Sequence, residues 1–227
     1  MCTVVVHCSP AAPVLLLALR DERVGRLFDD PGAWWPELPH VVGGRDRVAG
    51  GTWCATDTAS GTTAVVLNGT RKPTGDPGAA SRGVLPLLAL QHGPAWPDHA
   101  ELDGMAGFHL ALASPAGLDR WTWDGEHLDA TRRGTGTHML TAGAREQGRS
   151  DRHLPAFAAA VSDSAWLALV RDSVPSDEPD ALLVRHPLAG ATFATVFAQV
   201  VQAEPGRLDV QHSRVPSDPA GWVRSSW

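Results

Sequence analysis

Cys2 is the residue of this 227-residue chain whose type and position best suit covalent chemistry. It directly follows Met1, and removal of an initiator methionine before a small residue leaves Cys2 with both a thiol and a free α-amine. The amine titrates at about pH 7.7–8.0 and the thiol at about 8.5, so one residue offers a nucleophile and a base suited to neutral pH. The alternative is an ordinary cysteine in a first strand, because many chains begin with Met-Cys by chance.

A second group of chemically useful residues follows the apolar run Val14–Leu19. Arg20 and Asp21 begin a cluster of four charged side chains there, Arg-Asp-Glu-Arg. If this run pairs with Cys2–His7 in a sheet, Arg20 and Asp21 lie at the sheet end beside Cys2. A guanidinium near the thiol favours the thiolate, and a carboxylate holds an α-amine by charge-assisted hydrogen bonding. The alternative is a solvated turn after a buried strand.

Short β-like runs dominate the elements that must position these residues. They are rich in Val, Leu and Thr and are separated by turn residues, and they comprise Cys2–His7, Pro13–Leu19, Thr63–Asn68, Phe108–Ala113, Leu118–Trp123, His127–Arg133, Ala181–His186, Thr192–Gln202 and Arg207–Ser213. Apolar spacing predicts two helices, Ser81–His92 and Pro155–Asp172. Most consecutive strands are joined too tightly for βαβ crossovers. We therefore predict an α+β fold with mainly antiparallel sheets in a single domain, residues 1–227, that has loops at Thr70–Gly83 and Gly93–Gly107.

Composition narrows the class of function. A formal net charge of −6 and a pI near 5.9 argue against a nucleic acid or an anionic membrane as the partner. Three cysteines are too few, and an odd number, for a disulfide framework, so a reducing cytoplasmic location is expected. No secretory leader is evident, and Val14–Leu19 is too short to span a bilayer.

Six short motifs occur in order along the N-terminal part of the chain. They are Met1-Cys2, Leu19-Arg20-Asp21-Glu22, Gly44-Arg45-Asp46, Gly50-Gly51-Thr52-Trp53, Asn68-Gly69-Thr70-Arg71 and Ser81-Arg82-Gly83. Together they resemble the NRDE family, also called the transport and Golgi organisation protein 2 family. The family is named for an Asn-Arg-Asp-Glu motif, in which Leu19 here replaces the Asn. The resemblance covers about the first 90 residues, and the rest of the chain matches loosely, through its strand order and Gly134–Thr137.

The resemblance implies an N-terminal-nucleophile hydrolase-like αββα sandwich, in which two mainly antiparallel sheets lie between helical layers. Related cysteine enzymes of this fold, such as the choloylglycine and penicillin V acylases, cleave amides. By the same resemblance Cys2 would be nucleophile and base, Arg20 the thiolate partner and Asp21 the amine anchor. Asn68 matches a Thr-Asn-Tyr-like segment and would donate to the oxyanion; the alternative is a turn residue before Gly69. The implied function is cleavage of an amide or thioester bond of a small molecule, and it requires no cofactor.

Two further positions, besides Leu19, depart from the family pattern. Ala142 ends a Leu-Thr-Ala segment where relatives tend to have Leu-Ser-Asn, so a second amide is missing. Phe193 stands where relatives tend to have an arginine. An active site without one oxyanion donor and one guanidinium is expected to lose several powers of ten in rate. The chain is therefore expected to be either a weakened enzyme or a protein that no longer catalyses.

A rival interpretation is a non-catalytic haem-binding or haem-trafficking protein, because some members of the family are associated with haem mobilisation. Ten His and three Cys supply possible axial ligands, and nine Trp are available to line an apolar pocket. The sequence has no Cys-x-x-Cys-His motif, so any haem would be bound non-covalently, and no residue is singled out as its ligand. The sequence also lacks zinc-like spacing of His and Cys, so no metal site is predicted. The oligomeric state stays open.

Overall fold

The computed structural model describes residues 2–69, 81–142 and 146–227. Within these ranges the strands are, in chain order, β1 (Cys2–Cys8), β2 (Val14–Arg23), β3 (Phe28–Gly32), β4 (Val41–Asp46), β5 (Cys54–Asp57), β6 (Thr62–Asn68), β7 (Phe108–Ser114), β8 (Gly117–Trp123), β9 (Leu128–Arg133), β10 (Gly136–Thr141), β11 (Arg185–Leu188), β12 (Ala191–Glu204), β13 (Arg207–Ser213) and β14 (Val223–Ser226). The helices are α1 (Leu85–His92), α2 (Glu146–Ala159) and α3 (Asp163–Arg171), with 3₁₀ turns at Arg82–Val84, Gly93–His99 and Pro219–Gly221. None of the helices in the described part of the chain is long and apolar enough to cross a lipid bilayer.

The strands form two antiparallel sheets. The first sheet has the order β10-β1-β2-β12-β13-β14, with β11 paired to the beginning of β12, and the second follows chain order from β3 to β9. The second sheet needs only short connections, as a meander does. The first sheet instead places β1 and β2 in its interior, beside strands from much later in the chain. Cys2 therefore begins an interior strand, directly opposite Arg20 of β2.

Apolar side chains on both faces of each sheet produce four layers. Leu16 of β2 packs in the core between the two sheets, whereas its neighbour Leu17 packs with Trp166 of α3 on the outer face. On the other side of the molecule, Leu85 of α1 packs with Leu110 of β7. Successive residues of a strand point to opposite faces, so an interior strand such as β2 has to be apolar on both. The predicted αββα sandwich of the α+β class is confirmed.

The prediction of one helix over Pro155–Asp172 is wrong. The chain forms α2 and α3 instead, and Pro155 lies inside α2 rather than in its first turn. Ser162 begins α3 by accepting the N–H of Ala165 through Oγ at 3.2 Å. Both helices have apolar residues at helical spacing. The spacing of apolar residues alone therefore does not reveal the break between the two helices.

The predicted strand Ala181–His186 is wrong at its start, because the strand begins only at Arg185, after a single bridge between Val184 and Ser176. The residues before it are buried without being in a strand, as for Leu183 in the core against α3. The strands β3, β4, β5, β10 and β14 were not predicted, since they are short and several contain Gly, Pro or charged residues. Most of the predicted loop Thr70–Gly83 lies outside the described residues, and Gly93–Gly107 begins with a 3₁₀ turn.

Candidate active site

Cys2 lies at the end of β1, where described residues enclose a polar cavity of about 130 Å³. Antiparallel pairing of β1 with β2 sets it opposite Arg20. The cavity wall includes all four residues that the sequence singled out, namely Cys2, Arg20, Asp21 and Asn68. The fold therefore brings these four residues to one place, and their individual environments decide what each can do.

The Arg20 side chain lies on the same face of the sheet as the Cys2 thiol, because directly paired residues share a face. Its Nη2 donates to Oδ2 of Asp46 at 2.8 Å. The guanidinium carbon lies 4.5 Å from the ring centroid of Trp53 and 5.1 Å from that of Phe28. These contacts hold a buried positive charge in one position beside the thiol.

Asp46, at the end of β4, supports two arginines at once. Besides Arg20, it accepts from Nε of Arg26 at 2.7 Å and from Nη2 of Arg26 at 3.0 Å. The backbone N–H groups of Val48 and Ala49 also donate to its Oδ1, each at 3.0 Å. Burial by itself would raise the pKa of Asp46, but the hydrogen bonds from Arg26 and Ala49 hold this pKa below its ordinary value. Asp46 is therefore a carboxylate that fixes two arginines of the cavity, Arg20 and Arg26.

Burial raises the pKa of the Cys2 thiol. The backbone N–H of Asp21 hydrogen-bonds to the sulfur, and the charge of Arg20 also favours the thiolate, but neither reverses the direction. The sequence suggested that a nearby guanidinium would favour the thiolate, and the structure adds a larger opposing effect. Cys2 therefore rests as a thiol at neutral pH and needs a base to become a nucleophile.

The Asp21 carboxylate points to the opposite face of the first sheet, toward α2. Its Oδ1 accepts from Oγ1 of Thr195 at 2.6 Å, and Nη1 of Arg149 lies 3.7 Å from its Oδ2. The same Arg149 nitrogen donates to Oγ1 of Thr3 at 2.6 Å. The side chain of Asp21 is 0% exposed and that of Arg149 1%. Burial raises the pKa of Asp21 to about 6, so this carboxyl titrates close to neutrality.

Asn68 is the last residue of β6 and is exposed toward the cavity. It pairs with Phe108, and the N–H of Gly69 continues the ladder by donating to the carbonyl of Gly107 at 2.7 Å. Asn68 is therefore at a strand end rather than at the centre of a tight turn. Thr70 and Arg71, which complete its motif, lie outside the described residues, as does Met1.

Ala142 and Phe193, where the chain departs from the family pattern, lie at different distances from the site: one is beside Cys2 and the other is outside the cavity wall. Ala142 follows β10, and its N–H donates to the carbonyl of Cys2 at 3.1 Å. An asparagine at this position would begin beside the thiol, so the alanine removes an amide from the immediate surroundings of Cys2. Phe193 pairs with Arg23, and its ring centroid lies 5.4 Å from that of His186; it is not part of the cavity wall.

Sequence reasoning did not assign a role to several residues of this site. Asp46 and Arg82 both line the cavity, and both fall inside motifs that carried the resemblance. Their presence in those motifs was the available signal. Arg149 had no signal, because nothing in a polar helical segment indicates that one arginine reaches a sheet far away in sequence.

The backbone that carries Arg82 is packed tightly against the segment that leads to β5. The N–H of Thr52 donates to the carbonyl of Gly83 at 2.8 Å, and Ser81 Oγ accepts the Gly83 N–H at 3.2 Å. Gly51 contacts Gly83 so closely that it has no room for a side chain. This contact sets the position from which the Arg82 side chain enters the cavity.

Replacing Gly51 with alanine is expected to lower the free energy of unfolding by about 1–3 kcal/mol. The added Cβ would lie 2.3 Å from the carbonyl carbon of Gly83, so the backbone has to move. Urea denaturation measures the loss. The control is Gly148→Ala in α2, where a Cβ meets nothing within 4 Å and the better helix propensity is expected to add up to about 1 kcal/mol. Equal effects of the two substitutions would contradict the tight contact.

A haem site finds little support in the described residues. The cavity of about 300 Å³ beside β12 has a mainly apolar wall, which includes Val196 and Val215 but no His, Cys or Met to serve as an axial ligand. Within the described ranges, no three His, Cys, Asp or Glu side chains come together to share a metal ion. Haem binding therefore remains an expectation of the sequence.

Comparisons with known proteins agree with this architecture. A family model described as Transport and Golgi organisation 2 matches residues 1–145 of the chain. A crystal structure of a cysteine-to-alanine mutant of conjugated bile acid hydrolase from Clostridium perfringens has a TM-score of 0.57 and 10% identity, over 100% of this chain and 92% of that one. An arginine-to-leucine variant of the same hydrolase has a TM-score of 0.56 and 8% identity, over 99% and 92%. No curated protein is significantly similar in sequence. At such low identity the structural likeness shows the fold alone.

Proposed function

Because this chain belongs to the transport and Golgi organisation 2 family and has the fold of an N-terminal-nucleophile hydrolase, we propose that it hydrolyses an amide or thioester bond of a small molecule. Cys2 is the proposed nucleophile. The observation that carries the proposal is the opening of the Cys2 side chain into a polar cavity beside Arg20 and Asp21. Cys8 and Cys54 are instead buried in the core between the sheets, as structural cysteines are.

In the first half-reaction, the sulfur of Cys2 attacks the carbonyl carbon of the substrate. Once Met1 is removed, the α-amine of Cys2 takes the thiol proton, which it must do because burial disfavours a resting thiolate. The sulfur–carbon bond forms as the carbonyl electron pair moves onto oxygen. Collapse of this intermediate breaks the bond to the leaving nitrogen or sulfur, which takes the proton from the α-ammonium group.

In the second half-reaction, water hydrolyses the acyl group that is now bound to Cys2 as a thioester. The α-amine takes a proton from water as the water oxygen bonds to the acyl carbon. The carbon–sulfur bond then breaks, the sulfur takes the proton back from the α-ammonium group, and the carboxylic acid leaves. Asp21 is the proposed anchor of the amine. With a pKa of about 6 it is mostly ionised at neutral pH, so it attracts the ammonium form that appears in each half-reaction.

Asn68 is the proposed donor to the oxyanion, since its amide is at the cavity wall. One such donor contributes about 2.7–4 kcal/mol of transition-state stabilisation. Ala142 offers no second amide beside Cys2, which supports a slow enzyme. Arg20 Nη1, which is buried and has no hydrogen-bond partner among the described residues, is a further donor available to developing negative charge.

The size of the cavity limits the part of the substrate that it encloses. A volume of about 130 Å³ is well below the roughly 300–1,000 Å³ of pockets that bury a drug-sized ligand. We therefore do not extend to this chain the bile acid named for the structural neighbours. The proposal is that the described cavity receives the reacting group and its immediate substituents.

Iodoacetamide at neutral pH is expected to alkylate Cys2 before Cys8 and Cys54. Cys2 opens into the cavity, whereas the other two thiols are buried, and burial raises their pKa values to about 11 and about 12. Mass spectrometry of timed digests measures the three rates on the native chain. Intact mass on the same sample establishes whether Met1 has been removed, because a retained Met1 blocks the amine from acting as base.

Labelling of Cys2 that is no faster than labelling of the buried thiols would count against the proposed nucleophile. The urea-unfolded chain is the control, since all three thiols are then exposed and are expected to react at similar rates. A retained Met1 on an otherwise active protein would remove the α-amine from the mechanism while leaving the thiol in place.

A further inference from the structure

We propose that Arg82 binds a carboxylate of the substrate close to the scissile carbonyl. The substrates are then small acyl compounds that carry a carboxylate near the bond that breaks. This inference rests on the proposed function and names the substrate class of the same site.

Arg82 differs from the other arginines of the cavity in its charge balance. Arg20 and Arg26 both pair with Asp46, at 2.8 Å and 2.7 Å. Arg82 donates through Nη1 to the backbone carbonyl of Gly107 at 3.0 Å, and no carboxylate of the described residues forms an ion pair with it within 4.0 Å. An arginine has five N–H donors, so most of those on Arg82 remain available. A half-buried guanidinium without an anion is suited to receive one from a ligand.

The free side of Arg82 shares the cavity with the Cys2 thiol. Burial lowers the pKa of Arg82, while the charges of a Cys2 thiolate and of Glu22 act in the opposite direction. Arg82 and Cys2 are therefore close enough to influence each other. An anion bound to Arg82 would therefore lie in the same cavity as the sulfur that attacks the scissile carbonyl.

Two physical features give this contact specificity. The contact between Gly51 and Gly83 fixes the backbone beside Arg82, and the planar guanidinium fork matches a carboxylate better than an ammonium does. The cavity volume of about 130 Å³ is well below the roughly 300–1,000 Å³ of pockets that bury a drug-sized ligand. That space suits a carboxylate and the carbonyl beside it, and it disfavours a bulky apolar acyl group at the same place.

Iodoacetate and iodoacetamide are matched probes for this site, because they differ mainly in a carboxylate against a neutral amide. Each reagent forms a sulfur–carbon bond with Cys2 and releases iodide. The Cys2 thiol loses its proton to solvent in the same reaction. We expect the ratio of the iodoacetate rate to the iodoacetamide rate at Cys2 to exceed the same ratio for free cysteine by about tenfold. The reason is that one favourable charge contact at short range stabilises the bound carboxylate by an amount that corresponds to about a tenfold change in rate.

Replacing Arg82 with glutamine is expected to return that ratio to the value for free cysteine, and Arg82→Lys should retain part of the preference because the charge remains. Arg132→Gln is the matched control, since Arg132 is an exposed arginine of β9 outside the cavity. The wild-type ratio needs no variant, so the test holds even if Arg82→Gln folds poorly. A wild-type ratio equal to that of free cysteine, or a ratio unchanged in Arg82→Gln, overturns the proposal.

Turnover assays identify which side of the scissile bond carries the carboxylate. N-acetylglycine against N-acetylglycinamide tests a carboxylate on the leaving group, and succinamate against butyramide tests one on the acyl group. Turnover of the neutral partner that equals turnover of the charged one in both pairs overturns the substrate class. A raised alkylation ratio with no hydrolysis of any of the four supports the anion site and contradicts the hydrolase, so the two failures are distinguishable.

Discussion

Replacing Cys2 with alanine is expected to reduce hydrolysis by at least about 10³-fold while leaving the fold intact. The substitution removes the only atom that forms the acyl-enzyme and leaves the groups around it in place. Cys2 is only partly buried, so the free energy of unfolding should change by less than about 1 kcal/mol. Release of product from short-chain acyl p-nitroanilides and aryl thioesters measures the rate, and urea denaturation measures stability.

Cys54→Ala is the matched control, because it removes a thiol of the same size from the core between the sheets. It is expected to cost about 1–2 kcal/mol of stability and to keep the rate per folded molecule. Cys2→Ser keeps the α-amine and replaces sulfur by a weaker nucleophile, so its rate should lie between those of wild type and Cys2→Ala. Hydrolysis that survives unchanged in Cys2→Ala would remove Cys2 from the mechanism.

Replacing Arg149 with methionine is expected to destabilise the protein by about 3–5 kcal/mol at pH 7.5. Methionine keeps most of the apolar stem but leaves the buried Asp21 carboxylate without this positive charge, 3.7 Å away in the wild type. Arg152→Met on the same helix is the control. Arg152 also makes an ion pair, with Asp180 at 2.8 Å, but its side chain is 53% exposed, so its loss should cost much less than the loss of Arg149 because solvent screens an exposed pair.

The cost of Arg149→Met should depend on pH through Asp21. The folded-state pKa of Asp21, about 6, lies above its ordinary value of 3.8, so the folded protein binds this proton more tightly than the unfolded chain. Between those pH values the unfolded state carries fewer protons, and the contribution of Asp21 to stability falls as pH rises. Arg149→Met removes a positive charge that lowers the pKa of Asp21, so stability should fall more steeply with pH in the variant. The loss of stability caused by Arg149→Met should therefore be smaller at pH 5 than at pH 7.5.

The double variant Asp21→Asn with Arg149→Met separates the charge interaction from packing. Removing both charges should cost less than Arg149→Met alone at pH 7.5, because no carboxylate that has lost the Arg149 charge remains buried. Urea denaturation of wild type, Asp21→Asn, Arg149→Met and the double variant, at pH 5 and at pH 7.5, completes this double-mutant cycle. A cost for Arg149→Met that matches that of Arg152→Met, or that does not vary with pH, would contradict a charge role for Arg149.

Alternation along β2 explains why the two adjacent residues Arg20 and Asp21 have different environments. Arg20 shares the inner face with Cys2, while Asp21 shares the helix-facing side with Thr195 and Arg149. A strand period of two predicts that neighbours diverge. The strand period does not say which elements pack on each face. The elements that do pack there decide that Arg20 contacts Asp46, whereas Asp21 becomes an almost fully buried carboxyl.

By itself, the sequence predicted the antiparallel α+β class and, on the condition that the first two strands pair, the position of Arg20 and Asp21 at the sheet end beside Cys2. These follow from local patterns, since apolar runs separated by tight turns leave few ways to pair. Only the tertiary structure decided how the charges are balanced: Asp46 pairs with Arg20 and Arg26, Arg149 reaches Asp21, and Arg82 lines the Cys2 cavity while donating to a backbone carbonyl. The reason is physical, because ion pairing depends on distances of a few ångströms between side chains from separate elements, and stacking of the sheets and helices sets those distances.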